Sequence, residues 1–151
     1  METRSHVHEI ELFASPAEVF RLLVTPSAIR EWWSAARAIV IARTGGVWCA
    51  AWGDREDDPD YITAAIIKVY DPPQRLVLSD FDYYAKSGPL PFDASLTTEF
   101  RISARGAESV LRVNQTGFPA DPVADEFYKG CEVGWRQTFD AIRMYVDAHN
   151  V

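Results

Sequence analysis

Residues that bind metals or act as nucleophiles are scarce in this sequence. Its 151 residues include two cysteines and three histidines. They form neither an HExxH pattern nor a pair of CxxC motifs, which are spacings expected of zinc sites. A P-loop, a dinucleotide-binding glycine pattern and a GxSxG elbow are missing as well. We therefore expect no metal and no other cofactor.

Basic residues are outnumbered, and no long apolar run occurs. The 15 lysines and arginines stand against 22 aspartates and glutamates, which gives a net charge of −7. Nucleic acids and anionic lipids both attract proteins through a cationic face, and no stretch approaches the roughly 18 apolar residues of a bilayer-spanning helix. We expect no nucleic acid and no membrane among the partners. Because the N-terminus also lacks the pattern of a signal peptide, we expect a cytoplasmic location.

The rest of the composition is that of a folded domain. Hydrophobic residues make up 48% of the sequence and charged residues 25%, which is ordinary for globular proteins. The length fits one domain, so we expect residues 1–151 to form a single domain. In a reducing compartment, Cys49 and Cys131 are expected to be small buried side chains rather than a disulfide.

Proline directly after a capping residue marks the start of three helices. Residues 15–18 have the pattern of a capping box with proline at the first helical position. The pair Thr25-Pro26 predicts a second short helix to about residue 34, and the pair Asp121-Pro122 predicts a long helix over residues 122–149. Apolar side chains recur at helical spacing along this last segment, which predicts one buried face. They are Phe127, Cys131, Trp135, Phe139, Ile142 and Val146.

Period-two alternation and turn signals predict strands between these helices. The predicted strands are residues 7–13, 37–42, 46–52, 61–70, 76–81, 96–103 and 110–115. Strands in a run followed by a terminal helix predict the class α+β. We expect a curved antiparallel β-sheet that grips a long C-terminal α-helix, with two short helices after the first strand. A sheet curved around its helix leaves a cavity between them.

Short stretches along almost the whole chain resemble one superfamily. They are residues 15–20, the pairs Thr25-Pro26 and Trp32-Trp33, residues 45–48, residues 71–77, and the pairs Gly117-Phe118 and Gly134-Trp135. In this order they resemble the START-like (SRPBCC, helix-grip) superfamily, and within it the AHSA1-like branch named after the activator of Hsp90 ATPase. The resemblance covers about residues 5–148 and implies the helix-grip fold. That fold hosts ligand carriers, cyclases and co-chaperone domains, so function depends on the site.

Aromatic side chains supply most of the candidate site. They make up 13% of the sequence, and several fall on strand or helix faces that turn inward. Rigid aromatic walls with few polar groups are typical of an apolar ligand pocket. We therefore predict a cavity for a small hydrophobic or aromatic ligand between the sheet and the last helix. Its predicted residues are Trp33, Trp48, Phe100, Phe127, Trp135 and Phe139, with Gln115 and Asp80 as polar contacts.

The two polar candidates differ in how the sequence places them. Gln115 shares the inward-facing set of its strand with Leu111 and Val113. For residues 76–81 the alternation allows two solutions, one that turns Asp80 inward and one that turns Phe81 inward. The sequence leaves both open.

Three functions remain open from the sequence. Ligand binding is preferred, a protein-interaction module with a chaperone partner is the alternative, and a cyclase- or hydrolase-type enzyme has the least support. The enzyme would need an acid–base pair, for which His8 and Asp80 are the only candidates. Edge strands of an antiparallel sheet also make a homodimer a candidate assembly.

Two further features have alternative interpretations. Gly130 and Gly134 each lower helix propensity by about 1 kcal/mol, so they mark either close packing against the sheet or space kept open. Residues 83–93 are long for a hairpin connection and are either a lid or a packed loop.

Overall fold

One seven-stranded antiparallel sheet, wrapped around a helix, makes up most of the computed structural model, which describes residues 2–149. The strands are β1 (Thr3–Leu12), β2 (Arg37–Val40), β3 (Val47–Trp52), β4 (Tyr61–Asp71), β5 (Arg75–Ala85), β6 (Thr97–Arg105) and β7 (Glu108–Pro119). Their order across the sheet is β1-β7-β6-β5-β4-β3-β2. The helices are α1 (Pro16–Val24), α2 (Pro26–Trp32) and α3 (Asp125–His149). The predicted α+β helix-grip fold, with two short helices after the first strand, is confirmed.

The short helices begin where the prolines predict, but only α1 is capped by a side chain. The Ser15 hydroxyl oxygen accepts a hydrogen bond from the Glu18 backbone N–H at 3.2 Å, and Pro16 is the first helical residue. Thr25 makes no such bond to α2. Its hydroxyl donates instead to the Arg21 carbonyl oxygen at 2.6 Å, while its backbone carbonyl oxygen accepts from the Ile29 N–H at 3.0 Å, so Thr25 closes α1 with its side chain and opens α2 with its backbone.

Tryptophan side chains satisfy the next two carbonyl groups of α1. The Trp32 indole donates to the Leu22 carbonyl oxygen, and the Trp48 indole donates to the Leu23 carbonyl oxygen, both at 2.9 Å. The last carbonyls of a helix have no partner within the helix, and burying them unpaired would be costly. These two bonds therefore tie α1 to α2 and β3, and they leave only the faces of both indoles for other contacts.

The long helix starts three residues later than the sequence predicts. Pro122–Ala124 form a 3-10 turn, and α3 begins at Asp125. The Asp121 carboxylate accepts from the Val123 N–H at 2.9 Å, and the Asp121 carbonyl oxygen accepts from the Ala124 N–H at 3.0 Å. A bond from residue i to residue i+3 closes a tighter turn than an α-helix does, which explains the delayed start.

The sheet opens beside β5. Its register with β6 contains four residue pairs, which end at Leu78 and Thr98. Beyond Leu78, β5 continues to Ala85 and, within the described chain, pairs with β4 alone. Residues 86–96 leave the sheet before β6 begins at Thr97. This opening exposes the interior between the second half of β5 and α3.

β5 contains a β-bulge at Asp80. Because of this bulge, neither of the two alternations that the sequence allows for residues 76–81 holds along the whole segment. Asp80 has a left-handed φ of 53°, and Asp80 and Phe81 stand opposite the single β4 residue Ala65. Such a bulge exchanges the two faces of a strand, so Leu78 lines the interior before it and Phe81 after it. Asp80 is exposed, and the Ser79 hydroxyl donates to its carboxylate at 3.0 Å. This corrects the placement of Asp80 among the cavity residues.

Phe139 is the largest side chain of α3 that is buried in the core. It is 4% exposed, and its ring lies 5.8 Å from that of Trp135 between centroids. We expect Phe139→Ala to lower the free energy of unfolding by about 3–5 kcal/mol, because truncating a large core side chain leaves a cavity. Denaturant melts measure this change.

Met144→Ala is the matched control, since Met144 lies on the same helix and is 73% exposed. We expect this control to change the free energy of unfolding by less than about 0.5 kcal/mol. A loss below about 1 kcal/mol for Phe139→Ala would contradict the packing described here.

Candidate functional site

A cavity lies between the concave face of the sheet and the first half of α3. Its volume is about 170 Å³, and seven of its fourteen lining residues are aromatic. The lining residues are Trp33, Trp48, Thr63, Leu78, Phe81, Tyr83, Thr98, Phe100, Gln115, Phe127, Cys131, Gly134, Trp135 and Thr138. Among residues 2–149, no charged side chain lines this cavity. The space is therefore apolar, with a few hydroxyl and amide groups.

Aromatic rings in contact with each other form the walls. Trp33 and Trp48 lie 5.3 Å apart between ring centroids at one end. Phe100 meets Trp135 edge to face at 5.6 Å. These separations fall within the 4.5–7 Å range of favourable ring pairs. Each of these rings therefore packs against another ring of the wall.

A chain of hydrogen bonds joins α3 to the sheet at the cavity wall. The Trp135 indole Nε1 donates to the Gln115 amide oxygen, and the Gln115 amide nitrogen donates to the Thr98 hydroxyl oxygen, both at 2.9 Å. Gln115 is 5% exposed and Thr98 is 1% exposed. An unpaired amide in this position would cost free energy. The chain therefore fixes the Trp135 ring as a wall and orients the Gln115 amide.

Two other polar side chains at the cavity remain protonated near neutral pH. Burial raises the pKa of the Cys131 thiol to about 11. Burial, with a smaller contribution from Cys131, also raises the pKa of the Tyr83 phenol. A thiol needs a lowered pKa to act as a nucleophile, so Cys131 serves as an apolar wall residue. Cys49, the other cysteine, is also free, and neither is in a disulfide.

The two glycines of α3 have different surroundings. No atom lies within 4 Å of a Cβ built on either Gly130 or Gly134, so neither glycine marks close packing against the sheet. Gly134 lines the cavity, whereas Gly130 is exposed. Gly134 therefore keeps cavity space open beside Trp135, and Gly130 has no such role.

The open side of the sheet gives the cavity its outlet. Phe81 and Tyr83 stack at the end of β5, with their centroids 5.4 Å apart. Both rings also line a surface hollow of about 250 Å³ together with Pro89, Leu90 and Phe92. The Phe92 ring lies 5.5 Å from that of Phe127, a cavity residue. The 83–93 segment therefore lies at the cavity's edge, and its role as a lid stays a prediction.

The structure brings six of the eight predicted site residues to this cavity. They are Trp33, Trp48, Phe100, Gln115, Phe127 and Trp135. Phe139 lies one helical turn beyond Trp135, where α3 packs directly on the sheet, so it supports the wall without lining the space. Asp80 lies on the outer surface. The sequence left Phe81 open as one of two solutions and did not indicate Tyr83, because the bulge that turns both inward has no clear sequence signal.

Two histidines pair on β1 outside the cavity. The His8 Nε2 and His6 Nδ1 atoms are 3.1 Å apart, and the His6 ring packs against Phe118 and Tyr128. The His8 ring faces Phe139 at 6.4 Å. Neither histidine lines the cavity, so His8 and Asp80, the acid–base pair that an enzyme would need, are both outside it.

Burial dominates the protonation of this histidine pair. Burial, together with the nearby charge of His8 and against an opposing effect of Glu132, lowers the pKa of His6 to about 4. Burial also lowers the pKa of His8, where Glu132 opposes the shift and Arg136 adds to it. Both rings are therefore neutral near pH 7, and protonating them opposes folding.

The fold and the cavity define the class of protein. The structure is a helix-grip protein of the SRPBCC type, with an apolar cavity between sheet and C-terminal helix. The family model "Activator of Hsp90 ATPase homolog 1-like protein" matches residues 13–147. The chain belongs to this family, and the resemblance seen in the sequence is confirmed.

Solved structures share the fold at low sequence identity. Protein MLL2253 from Mesorhizobium loti matches with a TM-score of 0.79 and 21% identity, covering 98% of this chain and 100% of its own. CalU16 from Micromonospora echinospora matches with a TM-score of 0.69 and 20% identity, covering 95% and 76%. DynU16, a protein in the dynemicin biosynthetic locus, matches with a TM-score of 0.72 and 13% identity, covering 95% and 47%. At these identities the matches show the fold alone.

No curated protein matches the sequence. None of the helices described between residues 2 and 149 is long and apolar enough to span a membrane. In the same part of the chain, no group of three or more histidine, cysteine, aspartate or glutamate side chains is placed to hold a metal ion.

The His6–His8 pair predicts a loss of stability in mild acid. Because the pKa of His6 is about 4 in the folded chain, below the ordinary value near 6.5, the unfolded chain binds the proton first. Stability contributed by neutral His6 is complete above about pH 6.5 and is lost as the pH falls toward about 4. We expect His6→Gln to reduce the difference in unfolding free energy between pH 7 and pH 4.5 by about 2 kcal/mol.

Denaturant melts of each variant at both pH values measure this difference. Met144→Ala is the control, since Met144 is exposed and its side chain does not titrate, and we expect it to keep the pH dependence of the unaltered protein. An equal pH dependence in His6→Gln and the unaltered protein would show that burial of His6 does not control the loss.

Proposed function

We propose that the protein binds one small apolar or aromatic molecule in the cavity between the sheet and α3, in the cytoplasm. The observation that carries this proposal is the cavity itself. Its aromatic walls are held apart by the Trp135–Gln115 hydrogen bond and by Gly134. Ligand pockets commonly combine such walls with a few placed polar groups.

The cavity volume limits the ligand to about one ring. Pockets for drug-sized ligands measure about 300–1,000 Å³, well above the 170 Å³ found here. An apolar protein cavity of about 150 Å³ is large enough to bind benzene. The ligand is therefore a single-ring compound or one of similar size, unless the 83–93 segment moves to enlarge the space.

Family membership and the shared fold support ligand binding as a class of function. DynU16 is a protein in a biosynthetic locus, and a binding fold in such a setting is consistent with handling small organic molecules. This support is an analogy between folds. A cyclase- or hydrolase-type activity has less support, because its two candidate residues, His8 and Asp80, lie outside the cavity.

The second candidate is a protein-interaction role of the Hsp90-activator type. The family description supports it, and so does an outer apolar patch formed by Ile39, Val47 and Ile66, which are 60%, 37% and 37% exposed. Val47 and Ile66 pair directly across β3 and β4. In this role the protein would raise the ATPase rate of Hsp90. Ile39→Lys would reduce that effect, whereas Gly134→Leu would not.

A homodimer would use the same patch or the edge strands. Light scattering measures the molar mass and so distinguishes a dimer from a monomer.

Filling the cavity tests the ligand-binding proposal. We expect Gly134→Leu to place its side chain in the cavity and to abolish binding of fluorobenzene, a neutral ring of suitable size. Gly130→Leu is the matched control, because it makes the same change one helical turn earlier, at an exposed position that does not line the cavity. Fluorine NMR detects binding because the fluorobenzene signal broadens when the compound binds a protein. Toluene, which competes for the same cavity, should restore the narrow signal.

A thermal melt provides a second measurement of the same binding. At a ligand concentration ten times Kd, preferential binding to the folded state adds about 1.4 kcal/mol, which raises the Tm by roughly 3–6 °C for a chain of this size. We expect this rise in the unaltered protein and in Gly130→Leu, and none in Gly134→Leu. The ligand-binding proposal is wrong if the unaltered protein neither broadens the fluorine signal of fluorobenzene nor shows a higher Tm in its presence.

A further inference from the structure

The hydrogen-bond chain at the cavity wall has a direction. Trp135 donates to Gln115, and Gln115 donates to Thr98. The Thr98 hydroxyl therefore acts as an acceptor in this chain, and it still has its own hydrogen to donate. Within residues 2–149, the hydrogen bond accepted from Gln115 is the one that the Thr98 hydroxyl makes, so its own hydrogen is not donated to a protein group. Thr98 is 1% exposed and lines the cavity.

A donor left without an acceptor in this position favours a particular ligand. A buried donor without a partner is rarer, and costs more, than a carbonyl with a spare lone pair. Water can serve the Thr98 hydroxyl while the cavity is empty. A purely apolar ligand that displaces this water leaves the hydroxyl unpaired and loses affinity. A ligand with an acceptor atom at the same place replaces the water without that loss.

The uncharged lining of the cavity restricts the chemical class of the ligand further. The described lining residues carry neither a cationic nor an anionic side chain. Moving an ionised carboxylate or ammonium out of water without an opposite charge is far more costly than moving a neutral polar group. A carboxylate could accept the Thr98 hydrogen, but its charge would have no partner in the wall.

We propose that the ligand is a neutral single-ring aromatic compound that carries a hydrogen-bond acceptor, such as a carbonyl, and that the Thr98 hydroxyl donates to that acceptor. This inference rests on the ligand-binding function proposed above and adds the ligand's chemical class. Thr98 is then the specificity-determining residue of the cavity. Gln115, itself held by Trp135, orients the Thr98 hydroxyl by donating to one of its two lone pairs.

Three compounds of equal size test this assignment. Acetophenone carries the acceptor, α-methylstyrene is its planar hydrocarbon counterpart, and benzoate is its anionic counterpart. Calorimetric titration gives the Kd of each compound for the full chain. The ratio of the acetophenone and α-methylstyrene Kd values in one protein, compared between variants, cancels the different water solubilities of the two compounds.

Thr98→Val removes the hydroxyl while its added methyl group fills the same space. We expect this variant to shift the ratio against acetophenone by about 3- to 10-fold, the range of one neutral hydrogen bond. Thr98→Ser keeps the hydroxyl and should keep the ratio. Thr97→Val makes the same change at the neighbouring residue of β6, which does not line the cavity, and should leave the ratio unchanged. Benzoate should bind the unaltered protein at least about 100-fold more weakly than acetophenone.

The outcomes separate this inference from the proposal on which it rests. An unchanged ratio in Thr98→Val, a shifted ratio in Thr98→Ser, or benzoate binding as tightly as acetophenone would each overturn the ligand class while ligand binding stands. If none of the three compounds binds the unaltered protein, ligand binding itself is contradicted. A thermal melt of each variant confirms that it is folded, and the serine variant provides the test if the valine variant does not fold.

Discussion

The hydrogen bond between the Trp135 indole and the Gln115 amide is the contact on which the cavity depends. It spans 2.9 Å between α3 and β7, and it holds a large ring at the wall where the ring could otherwise turn inward and fill the space. Gly134 beside it adds no side chain. Apolar interiors normally pack without voids, so a cavity lasts only when such constraints prevent the surrounding rings from closing it.

The sheet supplies the second constraint. After Leu78, β5 separates from β6, and the bulge at Asp80 turns Phe81 and Tyr83 toward the interior. A regular strand would have continued the pairing and closed this side. The cost of the left-handed residue at Asp80 is of order 1–3 kcal/mol. The structure thereby gains an aromatic outlet beside the loop of residues 86–96.

The fold could be predicted from the sequence because its signals are local. Proline after a capping residue marked each helix, and period-two alternation marked each strand. Gln115 and Trp135 were predicted to face inward for the same reason. The bulge at Asp80 and the contact of Thr98 with Gln115 could not be predicted, because each depends on the exact register between two neighbouring strands, which the turn residues alone do not fix. Phe139 was assigned to the cavity because helical spacing identifies a buried face but does not show where along that face the cavity ends.

Locating a bound ring directly tests the central claim that this cavity is a ligand site. Crystals soaked in bromobenzene and measured at the bromine absorption edge would show the position of the heavy atom. We expect one anomalous peak between the sheet and α3, in contact with Trp48, Phe100 or Trp135. A peak confined to the outer apolar patch, or an interior closed by these side chains with no bromine in it, would contradict the account and favour the protein-interaction role.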